Sequence, residues 1–220
     1  MNYKICAIIP AGGTSSRFGN KNKLLEKING KEVIKYTVEA FEKSNTDEIV
    51  ICANAAIIDA FEQIFADSEK VKVIEGGQTR QESVFKGLKA CKCDYVLIHD
   101  AARPMITPET INQAIEMVKD KKALTVATKT IDTIKEVVNG KIIRTIDRSK
   151  LYNTQTPQAF EYNLIMDAHL KLAGESFTDD AGMLEELGQT VYILNGSYKN
   201  IKITTQNDID VAEVYLGVNS

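Results

Sequence analysis

Short apolar runs alternate with longer amphipathic segments along most of the chain. The runs, such as EIVICA at 48–53, are rich in β-branched residues, and the segments between them repeat their apolar positions at the helical period. Strands that alternate with helices predict an α/β fold, in which helices cover both faces of a mostly parallel sheet. The predicted strands span 5–10, 48–53, 70–75, 95–100, 123–128, 190–195 and 200–204. The predicted helices lie near 31–43, 55–66, 79–91, 108–120, 161–173, 178–187 and 206–216.

One segment, 130–160, departs from this alternation. It carries β-prone residues on both sides of Asn139-Gly140, a dipeptide that strongly favours a two-residue hairpin turn. Because the segment is too long for a loop between a strand and a helix, we expect a projecting β-arm at about 130–156. The chain of 220 residues otherwise suits a single domain that spans 1–220.

The overall charge balance excludes some classes of partner. Lys and Arg number 27 against 30 Asp and Glu, which gives a net charge of -3. A chain without a basic excess is not drawn as a whole to nucleic acid or to an anionic membrane, so any anion site must be local. The apolar run before the first glycines is too short for a signal peptide, and we expect a cytoplasmic protein.

The cysteines and histidines give little indication of a metal site. Cys91-x-Cys93 lacks the second pair that a zinc site requires, so we expect Cys6, Cys52, Cys91 and Cys93 to be reduced thiols. The chain has only two histidines. We therefore expect no metal ion bound by side chains alone.

Polar clusters, two of them with glycine pairs, end or follow three of the predicted strands. AGGTSSR follows the first strand, GGQTRQES the third and HDAARP the end of the fourth. Ligands of an open parallel sheet bind beyond the carboxyl ends of its strands, so three clusters at one edge predict a nucleotide or phosphate site. The first loop fits neither a Walker A motif nor a dinucleotide fingerprint. Its alternative interpretation is a glycine-rich turn with solvated lysines.

In this order and spacing, the clusters resemble those of the methylerythritol phosphate cytidylyltransferases of the non-mevalonate isoprenoid pathway. The resemblance implies a Rossmann-like fold and a homodimer joined through the β-arm. It also implies transfer of CMP from CTP to 2-C-methyl-D-erythritol 4-phosphate, with Mg²⁺ and with release of pyrophosphate. The matching stretches are AGG…R.G at 11–19, EGGQTRQESVFKGL at 75–88, HDAARP at 99–104, DTIK at 132–135, DRSKLYNTQTPQAF at 147–160, TDDA at 178–181 and NIKIT at 200–204.

The resemblance assigns catalytic roles to four cations. Arg17 and Lys23 would bind the triphosphate of CTP, and Lys21 is the alternative to Lys23, because the lysine here stands closer to the arginine than in the family pattern. Arg148 in the arm and Lys202 in NIKIT would bind the phosphate of the acceptor.

The resemblance also implies a set of substrate-binding residues. In the family, backbone amides around Gly76 and Gly77 and the hydroxyl of Ser83 recognise the pyrimidine edge of cytosine, which requires small residues. The predicted set is Ala11, Gly12, Gly13, Gly76, Gly77, Ser83, Asp100, Arg103 and Thr178.

Several of these residues have structural alternatives. Asp100 ends an apolar strand and is a candidate Mg²⁺ ligand, although we expect the ion to be held mainly by substrate phosphates and water. The alternative for Asp100 is a cap or an ion pair with Arg103. The alternative for Arg80 is a surface residue at the start of a helix. The alternative for Thr178 and Asp179 is a helix cap.

Two other functions remain open at this stage. Ribitol phosphate cytidylyltransferases share the implied fold and several motifs, although HDAARP and TDDAGMLEELG favour the branched methylerythritol acceptor. The altered lysine region is also compatible with a nucleotide-binding module that does not turn over substrate.

Overall fold

A computed structural model describes residues 3–13, 18 and 22–217. The strands are β1 (Ile5–Ala11), β2 (Lys27–Ile28), β3 (Lys31–Glu32), β4 (Glu48–Ala53), β5 (Val71–Glu75), β6 (Tyr95–Ile98), β7 (Ala123–Lys129), β8 (Lys135–Val138), β9 (Lys141–Thr145), β10 (Tyr152–Glu161) and β11 (Tyr192–Asn195). The helices are α1 (Val33–Glu42), α2 (Ile58–Ile64), α3 (Arg80–Ala90), α4 (Pro108–Lys121), α5 (Tyr162–Lys171), α6 (Asp180–Glu186) and α7 (Gln206–Gly217).

The main sheet of the described residues has seven strands in the order β11-β7-β10-β6-β1-β4-β5. Every neighbouring pair is parallel except the two that involve β10, which runs antiparallel to both β6 and β7. The predicted fold class, α/β with a mostly parallel sheet, is confirmed.

The two faces of this sheet bury separate apolar clusters. Along β1, Ile5, Ala7 and Ile9 belong to one cluster and Cys6 and Ile8 to the other, as the two-residue period of a strand requires. The first cluster includes residues of α1, α2, α4 and α7, and the second includes residues of α3, α5 and α6. Helices therefore cover both faces, and the strand ends remain free to carry functional loops.

The boundary of the β-arm differs from the prediction. The ribbon of β8 and β9 turns at Asn139 and Gly140, which have φ angles of 50° and 76°. Residues 152–161, however, form β10 at the centre of the main sheet, so an arm that extends to about 156 is too long. Residues 155–160 are all buried. Burying these side chains in the main sheet is more favourable than exposing them to solvent in a longer arm.

The segment 200–204 is not a strand, which corrects a second prediction. Its apolar and polar residues do alternate, but the backbone N–H of Ile203 donates to the carbonyl of Ala102 at 2.8 Å, in the loop that follows β6. The segment thus lies across the carboxyl edge of the sheet instead of extending it. No helix in the described part of the chain is long and apolar enough to cross a membrane.

Candidate active site

A cavity of about 390 Å³ opens at the carboxyl edge of the sheet. Its walls come from the loop after β1, the first turn of α3, the loop after β6 and the segment 200–204. The polar clusters that the sequence places after the first, third and fourth predicted strands are therefore neighbours in the fold. The lining residues are Pro10, Ala11, Gly12, Gly13, Lys23, Leu24, Gln78, Thr79, Arg80, Ser83, Asp100, Ala101, Ala102, Lys202 and Thr204.

The two glycine loops approach each other closely around Ser83. A Cβ on Gly76 would lie 2.9 Å from the Ser83 hydroxyl oxygen and 3.1 Å from the carbonyl oxygen of Cys52. A Cβ on Gly12 would lie 3.3 Å from the same hydroxyl. Glycine at position 76 is thus required by close packing, and the N–H groups of this loop are already bonded within the protein, that of Gly76 to the carbonyl of Ala53 at 2.7 Å.

Hydrogen bonds fix the loop before α3. The Ser83 hydroxyl accepts from the N–H of Gly77 at 2.9 Å and donates to the carbonyl of Thr79 at 2.9 Å. Thr79 caps the helix by accepting from the N–H of Glu82, and Lys86 Nζ donates to the carbonyl of Gly76 at 2.7 Å. The loop is thus positioned before any ligand binds, which favours selective recognition.

Asp100 lies at the centre of a cationic cluster. Its Oδ2 is 3.0 Å from Lys202 Nζ and 3.4 Å from Arg103 Nε, and its Oδ1 is 3.2 Å from Arg80 Nε. Burial by itself would raise the pKa of Asp100, but Arg80, Lys202 and Arg103 lower it well below its usual value. Asp100 is therefore a carboxylate, and it holds three cations at the cavity.

Arg80, whose role the sequence left open, forms an ion pair with Asp180. Arg80 Nη2 lies 2.7 Å from Asp180 Oδ2, a close ion pair without hydrogen-bond geometry, and the Asp180 side chain is 1% exposed. Burial would lower the pKa of Arg80, but Asp180 and Asp100 raise it. Arg80 is thus anchored between two carboxylates and is not a surface residue. Its place at the start of a helix, three residues after a glycine pair, was the only signal.

Strand β10 positions Asp180. Gln158, which is fully buried in β10, accepts from the N–H of Asp180 at 2.9 Å and donates to Asp179 Oδ2 at 2.9 Å. Asp179 caps α6 by accepting from the N–H of Gly182. The capping alternative for this helix start is confirmed for Asp179, whereas Thr178 is exposed and precedes the cap.

His99 supports the loop that carries Asp100. Its Nε2 lies 3.3 Å from the carbonyl of Arg103 and its Nδ1 lies 3.0 Å from the hydroxyl of Thr156, which also accepts from the N–H of Asp100. A carbonyl only accepts, so Nε2 carries the proton and Nδ1 accepts from Thr156. Burial lowers the pKa of His99 to about 4, which leaves the ring neutral.

Lys23 is one of the residues that line the cavity. Its Nζ donates to the carbonyl of Ile203 at 2.7 Å, and the side chain is half-buried. This bond joins the segment after the glycine loop to the segment that carries Lys202. Two ammonium groups from distant parts of the chain therefore stand at the same edge.

Some of the predicted residues do not line the cavity. Those that the structure describes are Gly76, Gly77, Arg103, Arg148 and Thr178. Arg148 is exposed and donates to the carbonyl of Ile131, and Arg103 donates to the carbonyl of Asn200 at 2.8 Å. Arg17 and the alternative Lys21 are outside the described residues.

Asp100 supplies the only carboxylate among the described lining residues. Both of its oxygens contact cationic side chains, so a metal ion there would compete with Lys202 and Arg103 unless phosphate groups drew those side chains away. One carboxylate beside a phosphate site fits Mg²⁺, which commonly binds through few carboxylates, substrate phosphates and water.

Comparisons with known proteins agree on one family. The family model of 2-C-methyl-D-erythritol 4-phosphate cytidylyltransferase matches residues 5–218. Proteins of that name from Clostridioides difficile and Bacillus licheniformis are 40% and 42% identical to the chain, over 96% and 98% of it and over 93% and 96% of their own lengths. The crystal structure of 4-diphosphocytidyl-2C-methyl-D-erythritol synthase from Anaerococcus prevotii superposes with a TM-score of 0.87 at 32% identity, covering 97% of this chain and 96% of that one.

Proposed function

Because the chain belongs to the 2-C-methyl-D-erythritol 4-phosphate cytidylyltransferase family, we propose that the cavity at the carboxyl edge is its active site. The enzyme transfers CMP from CTP to 2-C-methyl-D-erythritol 4-phosphate and releases pyrophosphate, a step of isoprenoid biosynthesis. The observation that carries the location is the convergence of Lys23, Lys202 and Arg80 on one cavity that the glycine loops also line.

The chemistry demands cations and not a base. A phosphate oxygen of the acceptor attacks the α-phosphorus of CTP while pyrophosphate leaves, and this nucleophile is already an anion. The barrier arises from bringing anions together and from charge that develops on the phosphate oxygens, so positioning and electrostatic stabilisation dominate. Lys23 and Lys202 lie where they would supply that stabilisation.

The loop before α3 is the proposed cytosine site. Gln78, Thr79 and Ser83 line the cavity there, and hydrogen bonds with Gly77, Thr79 and Lys86 hold the loop in place. The family match is what supports cytosine as the base bound by this loop. We assign recognition of the base to this loop and recognition of the triphosphate to Gly12, Gly13 and the lysine wall.

Asp100 is the proposed protein ligand of Mg²⁺, together with triphosphate oxygens and water. The ion would neutralise part of the charge on the triphosphate. Asp100 itself orients Lys202 and Arg80 towards the cavity. Its low pKa keeps it ionised for both tasks.

The β-arm is the proposed dimer contact. The exposed fractions of Val137 and Val138 are 52% and 51%, and those of Ile142 and Ile143 are 65% and 58%. Such a concentration of exposed apolar side chains on one ribbon is typical of a surface that another protein covers. A second copy of the chain would bury the ribbon, and its Arg148 would reach the acceptor phosphate that the local Arg148 does not approach.

Pyrophosphate release tests the function directly. Purified protein with CTP and Mg²⁺ should release pyrophosphate when methylerythritol phosphate is added, and not when the acceptor is omitted or ATP replaces CTP. Lys202→Ala should lose most of this activity because the acceptor phosphate loses its cation, whereas Lys199→Ala, which changes an exposed lysine just before the segment 200–204, should retain it. Equal activity of the two variants would contradict the proposed location of the site.

A further inference from the structure

Three cysteines meet at the end of the sheet away from the cavity. The sulfur atoms of Cys6, Cys91 and Cys93 all lie within 4.8 Å of one another. Cys6 is the second residue of β1, Cys91 is the C-cap of α3, and Cys93 lies in the connection from α3 to β6. None of the three is in a disulfide.

The surroundings of these thiols suit a closed site with one point of access. Cys6 and Cys91 are buried in the second apolar cluster, while Cys93 is only half-buried at its edge. The active-site loop begins at the opposite end of β1, at Gly12. The thiol cluster is therefore separate from the residues to which the proposed function assigns roles.

Two of the thiols contact backbone carbonyls. Cys6 Sγ donates to the carbonyl of Ala7 at 3.7 Å, and Cys91 Sγ donates to the carbonyl of Leu88 at 3.6 Å. Because the thiolate is the form that ligates a metal, these protons must leave when an ion binds.

We propose that Cys6, Cys91 and Cys93 together form a binding site for a thiophilic d¹⁰ cation, with Zn²⁺ as the expected ion. Three sulfur ligands favour soft ions over Mg²⁺, and water entering beside Cys93 would complete a tetrahedral set. Binding replaces the thiol protons, which pass to solvent. The ion would join the first strand to the C-terminal end of α3 and so stabilise the frame that carries both active-site loops.

Titration of the reduced, metal-free full-length protein with Co²⁺ tests the site. We expect a thiolate-to-cobalt charge-transfer band that saturates at about one ion per chain, disappears when Zn²⁺ is added and persists in excess Mg²⁺. Proton release into a weakly buffered solution should accompany Zn²⁺ binding. Zn²⁺ should also raise Tm, because an ion that binds the folded state stabilises it.

Two variants separate this site from adventitious binding. Cys93→Ser changes the half-buried ligand and should weaken Zn²⁺ binding at least about tenfold while the protein stays folded. Cys52→Ser removes a buried thiol outside the three-sulfur group and should leave the band unchanged. An unchanged band in Cys93→Ser, no band in the parent protein, or a disulfide between two of the three cysteines in the protein purified without reductant would each overturn the proposal.

Discussion

Among single residues, Asp100 and Arg80 take part in most of the ion pairs at the cavity. Asp100 contacts Arg80, Arg103 and Lys202, and Arg80 continues to the buried Asp180. Arg80 and Lys202 each have a carboxylate partner and also line the cavity. The site can therefore hold several positive charges close together without the full cost of their mutual repulsion.

The first prediction concerns Arg80. Arg80→Ala leaves Asp180 without a cation in a position where its side chain is 1% exposed, so we expect a loss of about 3–5 kcal/mol in the free energy of unfolding, measured with urea. Arg144→Ala breaks only the exposed pair with Glu136 and should cost at most about 1 kcal/mol. Equal losses in the two variants would show that the buried pair does not stabilise the fold.

The second prediction distinguishes Lys23 from Lys21. If Lys23 neutralises charge at the α-phosphate, Lys23→Ala lowers kcat by about a hundredfold or more, whereas Lys21→Ala changes it little. Steady-state pyrophosphate release at saturating CTP measures both. The reverse result would assign the role to Lys21.

The third prediction is a pH dependence of stability caused by His99. Its pKa is about 4 in the folded protein and 6.5 ordinarily, so between these pH values the unfolded chain binds the extra proton. Stability should therefore fall as the pH falls from 6.5 towards 4, by up to about 3 kcal/mol from this residue.

The readout for His99 is the slope of unfolding free energy against pH. His99→Asn should flatten this slope between pH 6.5 and 4, whatever its effect on absolute stability. Parallel curves for the variant and the parent protein would mean that the ring is protonated in the fold or titrates normally.

At the level of elements, hairpin turns show what local sequence could predict. Asn139-Gly140 indicated the ribbon of β8 and β9, and both residues adopt the positive φ angles of such a turn. Asn29-Gly30, with φ angles of 49° and 82°, makes the same turn between β2 and β3, but the strands are so short that the hydrophobic pattern gave no sign of them.

The fourth prediction concerns the β-arm as an element shared between two copies. Lys202→Ala and Arg148→Ala proteins, each nearly inactive, should regain activity when mixed, because one site of each heterodimer would then contain both cations. Arg144→Ala, which changes a residue of β9 near Arg148 in the chain, should be active without mixing. Heterodimers verified by two affinity tags that remained inactive would argue against a site shared through the arm.

For the molecule as a whole, the cavity must distinguish acceptors that carry the same phosphate. The family match identifies methylerythritol phosphate as the acceptor. Ribitol phosphate differs in chain length and in one methyl branch, and a difference of this size is worth about 1–3 kcal/mol in a pocket. Discrimination should thus be clear without being absolute.

The fifth prediction is the size of that preference. With CTP, kcat/KM should be at least about tenfold higher for methylerythritol phosphate than for ribitol phosphate. Arg148→Ala should lower both values by similar factors, because the Arg148 side chain would bind the phosphate that the two acceptors share. A preference for ribitol phosphate would contradict this assignment of the acceptor.

The sequence alone determined the features that depend on local pattern. The alternation of apolar runs and helical segments gave the α/β class, because the periods of strands and helices are set by backbone geometry. The clusters at 75–88 and 99–104 could be placed at one edge, since parallel strands bring their carboxyl ends together.

Only the tertiary structure decided how distant segments pair. β10 lies antiparallel between β6 and β7, and through Gln158 it positions Asp180 against Arg80. Cys6 likewise joins Cys91 and Cys93 only because β1 lies beside β6 and α3. These contacts depend on packing between segments far apart in the chain, and no periodicity within either segment encodes which partner it will meet.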